Sequence, residues 1–351
     1  MAFYFGLFPV IVMFALCSAK DGLFTGMVLL LLFMLRELFD SPVDFYKKKA
    51  HVILLTVSAL GMSLLRHNGF YAFVVFAVVA GITCKQTELV KVWKKAGITL
   101  VVILAGYFLI NSAMETVLSA DDSENQELLT VPIMQMARVY AYEQDSLQEE
   151  DKNTLYEILS HDALMRYNPK VSDGVKVDFN NEAYRNNPGK YLKLWAKLGK
   201  EHPFAYLNAW FMTSYGFWYP DAVIDVYRGN SVFTFTYEDS SYFGFETEQP
   251  GERDSRIPLL EELYRRFSLE ITQQKIPVIS MLFSPGFLFF AMLLFLGGFA
   301  YQKKWKKLLP YGFIVALWLT VILGPTYLVR YVIFLWVIMP VLLWDLFRAD
   351  I

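Results

Sequence analysis

Eight stretches of this 351-residue chain are strongly apolar, and that patterning limits its possible folds more than any motif does. They run over about 3–17, 22–39, 51–65, 69–84, 96–113, 279–301, 308–324 and 327–347. A helix that crosses a bilayer needs roughly 20 mainly apolar residues, within a range of about 17–25. The runs at 3–17, 51–65 and 69–84 are short, so flanking side chains must snorkel or neighbouring helices must cover their ends. The expected fold is a membrane all-α fold: a polytopic bundle of about eight transmembrane helices with one mostly helical extracytoplasmic domain. The first run lacks the basic n-region of a signal peptide, and Ala15-Leu16-Cys17-Ser18 has Leu where a lipoprotein signal needs a small residue, so it counts as a helix.

Charge divides the chain in the same way. Residues 114–278 hold 27 acids and 16 bases, a net of −11, whereas the remainder holds 7 acids and 16 bases, a net of +9. Separate aqueous and membrane compartments produce such a division. Three segments follow: 1–113 with five spans, an acidic domain over 114–278, and 279–351 with three spans. Basic residues set the orientation. Lys47, Lys48 and Lys49 form one cluster, Lys85, Lys91, Lys94 and Lys95 a second, Lys303, Lys304, Lys306 and Lys307 a third, and Arg348 follows the last run. Placing all of them in the cytoplasm alternates without contradiction. Both termini are then inside, and residues 114–278 lie outside.

Within the acidic domain, residues 126–143 carry apolar positions at helical spacing, and 146–160 opens with Ser146 and Glu149 at capping-box spacing. Residues 189–200 and 203–216 are expected as two helices parted by His202-Pro203, with a further helix over 256–272. The alternating β-branched and aromatic residues of 232–245 predict a small hairpin. Cys17 and Cys84 sit in apolar runs as small buried hydrophobes, and the four histidines show no zinc-ligand spacing. Asp121-Asp122-Ser123-Glu124 reads as an acidic solvated loop. The aromatic cluster of Trp210, Phe211, Tyr215, Phe217, Trp218 and Tyr219 serves packing or a membrane-resting belt.

The residues that orientation does not explain are a few charges in the short outer connections. Lys20 and Asp21 follow the first run, Arg66 joins the third and fourth, and Arg330 joins the seventh and eighth. Ionisable groups at membrane depth are costly, and a functional role is their default reading. Three cations at one level suit an anion, and arginine offers forked contacts to phosphate. The plain alternative is that Arg66 and Arg330 snorkel to ordinary head groups while Lys20 pairs with Asp21. Asp21 is a carboxylate beside the pocket, the N-cap of the second helix, or both. Asn68, Gln135, Arg138, Tyr327 and Tyr331 are the candidates for a pocket or acceptor wall.

The stretches Phe8-Pro9, Ser18-Ala19-Lys20-Asp21-Gly22-Leu23-Phe24 and Leu65-Arg66-His67-Asn68-Gly69-Phe70-Tyr71 resemble a bacterial family of large multi-spanning membrane proteins of largely unassigned function. Val131-Pro132-Ile133-Met134-Gln135-Met136-Ala137-Arg138, Tyr167-Asn168-Pro169 and Gly324-Pro325 with Arg330-Tyr331 extend the likeness over nearly the whole chain. That family is similar in layout to the GT-C glycosyltransferases, which move a sugar from a polyprenyl-phosphate donor to an acceptor outside the cytoplasm. The resemblance implies a bacterial cytoplasmic membrane, a polyprenyl-phosphate-linked sugar, a glycan or protein acceptor and no nucleic-acid partner. It leaves open a divalent cation as cofactor, with no metal ligand assigned. Asp21 matches a second acid that in GT-C enzymes opens a later helix. The principal catalytic acid of those enzymes lies in a long first outer loop, which this chain lacks. The expectation is therefore the C-terminal portion of a GT-C enzyme, with Lys20, Arg66 and Arg330 on the lipid phosphate and Asp21 as the catalytic carboxylate. The alternative is a non-catalytic membrane module that binds a lipid-linked glycan or a partner protein.

Overall fold

A computed structural model describes residues 2–16, 20–83, 88–118, 124–224, 256–324 and 326–347. Cys17, Cys84, Asp121–Ser123, the expected hairpin over 232–245 and Arg348 lie outside the described residues. The described chain is all-α, with no strand and a single isolated bridge between Asn168 and Val171.

Each of the eight apolar runs is mostly helical over its described residues. The first is broken into α1 (Ala2–Leu7) and α2 (Pro9–Leu16), because Pro9 disfavours the helical conformation at Phe8. There follow α3 (Lys20–Asp40), α4 (Lys49–Leu65), α5 (His67–Thr83) and α6 (Trp93–Leu118). Then come α7 (Thr130–Glu143), α8 (Glu149–Tyr156), α9 (Pro188–Glu201), α10 (Pro203–Ser214) and α11 (Pro258–Leu269). The last apolar runs give α12 (Pro285–Tyr301), α13 (Trp305–Val321) and α14 (Ile333–Phe347). Proline opens α2, α9, α10, α11 and α12, where its missing N–H costs nothing and its fixed φ suits the first turn. Asn187 and Ser284 cap α9 and α12 by accepting from the Lys190 and Phe287 amides at 3.2 and 3.1 Å.

Contacts divide the chain into two compact units. One comprises Met1–Asn111, Phe217–Thr320 and Leu328–Ile351, and holds most of the apolar helices. In it, helices α3, α4 and α14 bury Val28, Leu31, Leu32, Ala59, Met62, Phe334 and Ile338. Its outward residues are also aliphatic: Ile53, Val78, Ile98, Val101, Leu109 and Leu294 are all more than half exposed. The helix Lys20–Asp40 and the segment Leu89–Met114 are long and apolar enough to cross a membrane, while Lys49–Leu65, His67–Thr83, Pro285–Tyr301 and Ile333–Phe347 are apolar but shorter. Pro310 and Pro340 lie inside α13 and α14.

The second unit comprises Ser112–Gly216 and Val321–Tyr327. Its core joins Ile133, Met134, Ala137 and Tyr140 of α7 to Leu155, Leu159, Leu164, Val175, Leu198 and Tyr206. Trp210 and Thr326 tie in the late segment, donating to the carbonyls of Ile322 (3.0 Å) and Lys170 (2.6 Å).

Two expectations change here. The helix expected over 126–143 is interrupted at Leu129, and Ser146 does not cap the next one. Its hydroxyl donates back to the Glu143 carbonyl at 2.6 Å, while Gln148 precedes α8 without a side-chain cap. By contacts, Phe217–Ile224 and α11 pack with the apolar helices. Gln274 holds both backbone groups of Ile224, Ser284 donates to the Pro220 carbonyl at 2.6 Å, and Phe267 stacks on Phe283. At Gly286 a Cβ would stand 2.6 Å from the backbone carbon and oxygen of Tyr219. Gly286→Ala is therefore expected to cost about 1–3 kcal/mol by overpacking against an immovable carbonyl. Thermal unfolding in detergent checks this, and an unchanged midpoint would deny the close approach.

Candidate functional site

The first turn of α3 brings Lys20 and Asp21 to one end of the apolar unit, and the α4–α5 junction brings Arg66 to the same place. Arg66 is the extended residue that ends α4, with φ −149° and ψ 124°, so the chain turns there and its side chain leaves both helices. Its guanidinium forms an ion pair with Asp21, with Nε 2.9 Å from Oδ1 and Nη2 on the same oxygen. The Asp21 side chain is 3% exposed and that of Arg66 16%.

Aromatic rings hold the guanidinium groups from the sides. Arg66 lies over the Tyr331 ring at 4.7 Å and the Phe24 ring at 5.8 Å, and Arg330 lies over the same Tyr331 ring at 5.2 Å. Stacking on a ring fixes the plane of a guanidinium without using its N–H donors. Arg330 also donates to the Tyr331 hydroxyl at 3.3 Å. It sits in a short 3-10 turn, Val329–Tyr331, just before α14. Lys20, exposed at the helix start, interacts electrostatically with Arg66, Asp21 and Arg330. Asn68 stands nearby in sequence and donates to Thr320 at 3.4 Å. The arrangement gathers three cations with one carboxylate, a net positive cluster of the kind that suits an anion.

Asp21 does not stand in the site as an unengaged carboxylate. Its Oδ1 belongs to Arg66, and its backbone carbonyl accepts from Thr25 at 2.9 Å. Divalent cations require several oxygen ligands. One carboxylate already held by an arginine does not fit such an ion, and no group of three His, Cys, Asp or Glu among the described residues could hold a metal.

Gln135, Arg138 and Tyr327 belong to the other compact unit, and each is engaged there. Gln135 accepts from the Trp195 indole at 2.8 Å and donates to the Tyr206 carbonyl at 3.4 Å. Arg138 donates to the Tyr167 hydroxyl at 3.3 Å and lies over Tyr142 at 4.8 Å. Burial raises the Tyr167 phenol above its ordinary range, and Arg138 opposes that rise. Tyr327 is fully buried against Gly216, with its hydroxyl 3.0 Å from that of Tyr215. Gln135 and Tyr327 are thus parts of that unit's interior packing.

A second buried ion pair was not singled out from the sequence. Arg36 of α3 pairs with Asp345 of α14, whose other oxygen accepts from the Tyr311 hydroxyl of α13 at 2.7 Å. The available signal was one arginine near the end of the second apolar run and one aspartate near the end of the eighth. In apolar surroundings, charges near helix ends seek each other.

Residues 1–350 match the model of a family described as a family of unknown function, DUF6020. No curated protein and no solved structure matches the chain.

Proposed function

Since the chain belongs to the DUF6020 family, we propose from the site itself that it is a multi-spanning membrane protein binding the phosphate of a polyprenyl-phosphate-linked sugar, in glycosyl transfer of the GT-C type to an extracytoplasmic glycan or protein acceptor. The observation that carries this reading is the gathering of Lys20, Asp21, Arg66, Arg330 and Tyr331 from three separate connections into one cationic cluster. Arg66 and Arg330 hold the lipid phosphate and stabilise the charge that develops on it as a leaving group. Asp21 is a positioning residue that fixes Arg66.

The membrane placement rests on the aliphatic outward face and on the lysine clusters. All eight runs cross in this reading, with both termini and the lysines in the cytoplasm and residues 114–278 outside. A 17-residue helix is about 25 Å long, a few ångströms short of a ~30 Å hydrocarbon core. The shorter spans are therefore accommodated by local bilayer thinning and snorkelling lysines.

A second reading, a non-catalytic module that binds the lipid-linked glycan or a partner protein, is favoured by the ion pair of Asp21. A carboxylate held by Arg66 is a poor general base. Arg330→Ala is expected to weaken binding of a polyprenyl-phosphate sugar by the reconstituted protein about tenfold or more, the worth of one charge-assisted hydrogen bond. Unchanged binding removes the phosphate site. Intact binding by the wild type without any sugar transfer selects the non-catalytic reading.

A further inference from the structure

At the other end of the apolar unit from Asp21 lies a cavity of about 570 Å³, within the ~300–1,000 Å³ typical of small-molecule sites. Its walls come from the end of α3 (Leu35, Leu38, Phe39), from α5 (Phe76, Ala80, Gly81) and from the start of α6 (Trp93, Gly97, Leu100). The lining is almost wholly aliphatic and aromatic, with Tyr46 and Thr99 supplying its hydroxyls. Val90 and Trp93 mark its exposed margin, at 47% and 64% exposure. A Cβ added at Gly81 or at Gly97 would meet nothing within 4 Å. Both glycines stand in or at the end of helices, where alanine is favoured by roughly 1 kcal/mol, and among the described residues no neighbour requires the space left there.

The rim is basic. Lys94, whose ammonium lies over the lining Trp93 ring at 5.8 Å, and Lys95 flank the lining face of α6, and Lys48 and Lys49 follow the lining Tyr46; all four are exposed. Asp44 is engaged with Lys47 at 2.7 Å, and Glu37 faces His51 at 3.4 Å. An apolar slot rimmed by exposed ammonium groups is complementary to a molecule with a hydrocarbon body and an anionic head. We infer that this cavity is a specific site for an anionic phospholipid of the cytoplasmic leaflet, with an acyl chain in the slot and its phosphate among Lys48, Lys94 and Lys95. This rests on the membrane placement proposed above but concerns a different end of the protein and a different ligand from the Arg66–Arg330 cluster.

Trp93 reports occupancy directly. The full-length protein is reconstituted into phosphatidylcholine vesicles containing either phosphatidylglycerol or phosphatidylcholine with brominated acyl chains, and the Trp93 signal is isolated as the difference from Trp93→Phe. Brominated phosphatidylglycerol is expected to quench that signal at lower mole fraction than brominated phosphatidylcholine, by roughly fivefold for each lysine engaged. Lys94→Gln with Lys95→Gln should remove most of the preference, read against its own Trp93→Phe counterpart because Lys94 lies over the Trp93 ring at 5.8 Å. Gly97→Leu, which fills the slot while favouring the helix, should lower quenching by both lipids to the level that the surrounding bilayer alone gives the exposed Trp93 and erase the difference between them. Equal quenching by the two lipids in the wild type overturns the inference, as does undiminished quenching in Gly97→Leu. A protein that fails to float with vesicles overturns the membrane placement itself, and this inference with it.

Discussion

Asp21→Ala is expected to lower the stability of the protein by about 3–5 kcal/mol, the cost of leaving one member of a buried ion pair without its partner. Among the described residues, Asp21 supplies the carboxylate that engages the Arg66 guanidinium, and both side chains are largely covered. Without it, Arg66 loses its described counter-charge while Lys20 and Arg330, of like charge, remain in the same cluster. Asp21→Asn should fall between, because the amide oxygen still accepts from Arg66 but carries no charge. Thermal denaturation in mild detergent should rank wild type above Asp21→Asn above Asp21→Ala. A wild-type midpoint for Asp21→Ala would deny the ion pair. The same pairing means that Arg66→Ala mixes lost phosphate contacts with a stranded carboxylate. Arg330, which engages the ring and hydroxyl of Tyr331, is therefore the position taken for testing anion binding.

The second large effect is expected at the opposite ends of α3 and α14. Asp345→Ala strands the Arg36 guanidinium and the buried Tyr311 hydroxyl together, and a loss of about 3–5 kcal/mol is again expected. Here a rescue separates geometry from general fragility. Arg36→Leu combined with Asp345→Leu replaces the pair by apolar side chains in apolar surroundings, and such replacements are often neutral or stabilising. The double variant should recover most of the stability that Asp345→Ala loses, in the same thermal assay. A double variant as unstable as the single one would show that the pair is not what joins these helices.

Much of the helical order was legible because apolar runs and prolines act locally. Pro188, Pro203, Pro258 and Pro285 each stand at the first position of a helix, and a proline near a helix start carries its own reason. The convergence of Lys20, Asp21, Arg66 and Arg330 was legible for another reason: charges that break the orientation pattern are rare, and being rare they can be counted. The Arg66–Asp21 pairing was not legible, since the cap and pocket roles for Asp21 ignored a partner 45 residues away. Asp345 was hidden for a related reason. A single acid barely alters the mean hydropathy of an apolar run, and only packing shows that Arg36 and Tyr311 meet it. The packing of Phe217–Ile224 and α11 with the apolar helices was equally invisible, because it depends on hydrogen bonds of Gln274 and Ser284 across long sequence separations. Gln135 has the polarity of a pocket residue, yet its amide is spent between Trp195 and Tyr206.

The cationic cluster is proposed to recognise a phosphate, so the decisive comparison uses two lipids that differ only in that group. The reconstituted full-length protein is titrated with a long-chain polyprenyl phosphate and with the corresponding polyprenol, for the wild type and for Arg330→Ala. The wild type should retain the phosphate roughly tenfold to a hundredfold more tightly than the alcohol, the worth of one or two charge-assisted hydrogen bonds, and Arg330→Ala should lose most of that difference. Equal affinity of the wild type for the two lipids would contradict a phosphate site at Lys20, Arg66 and Arg330.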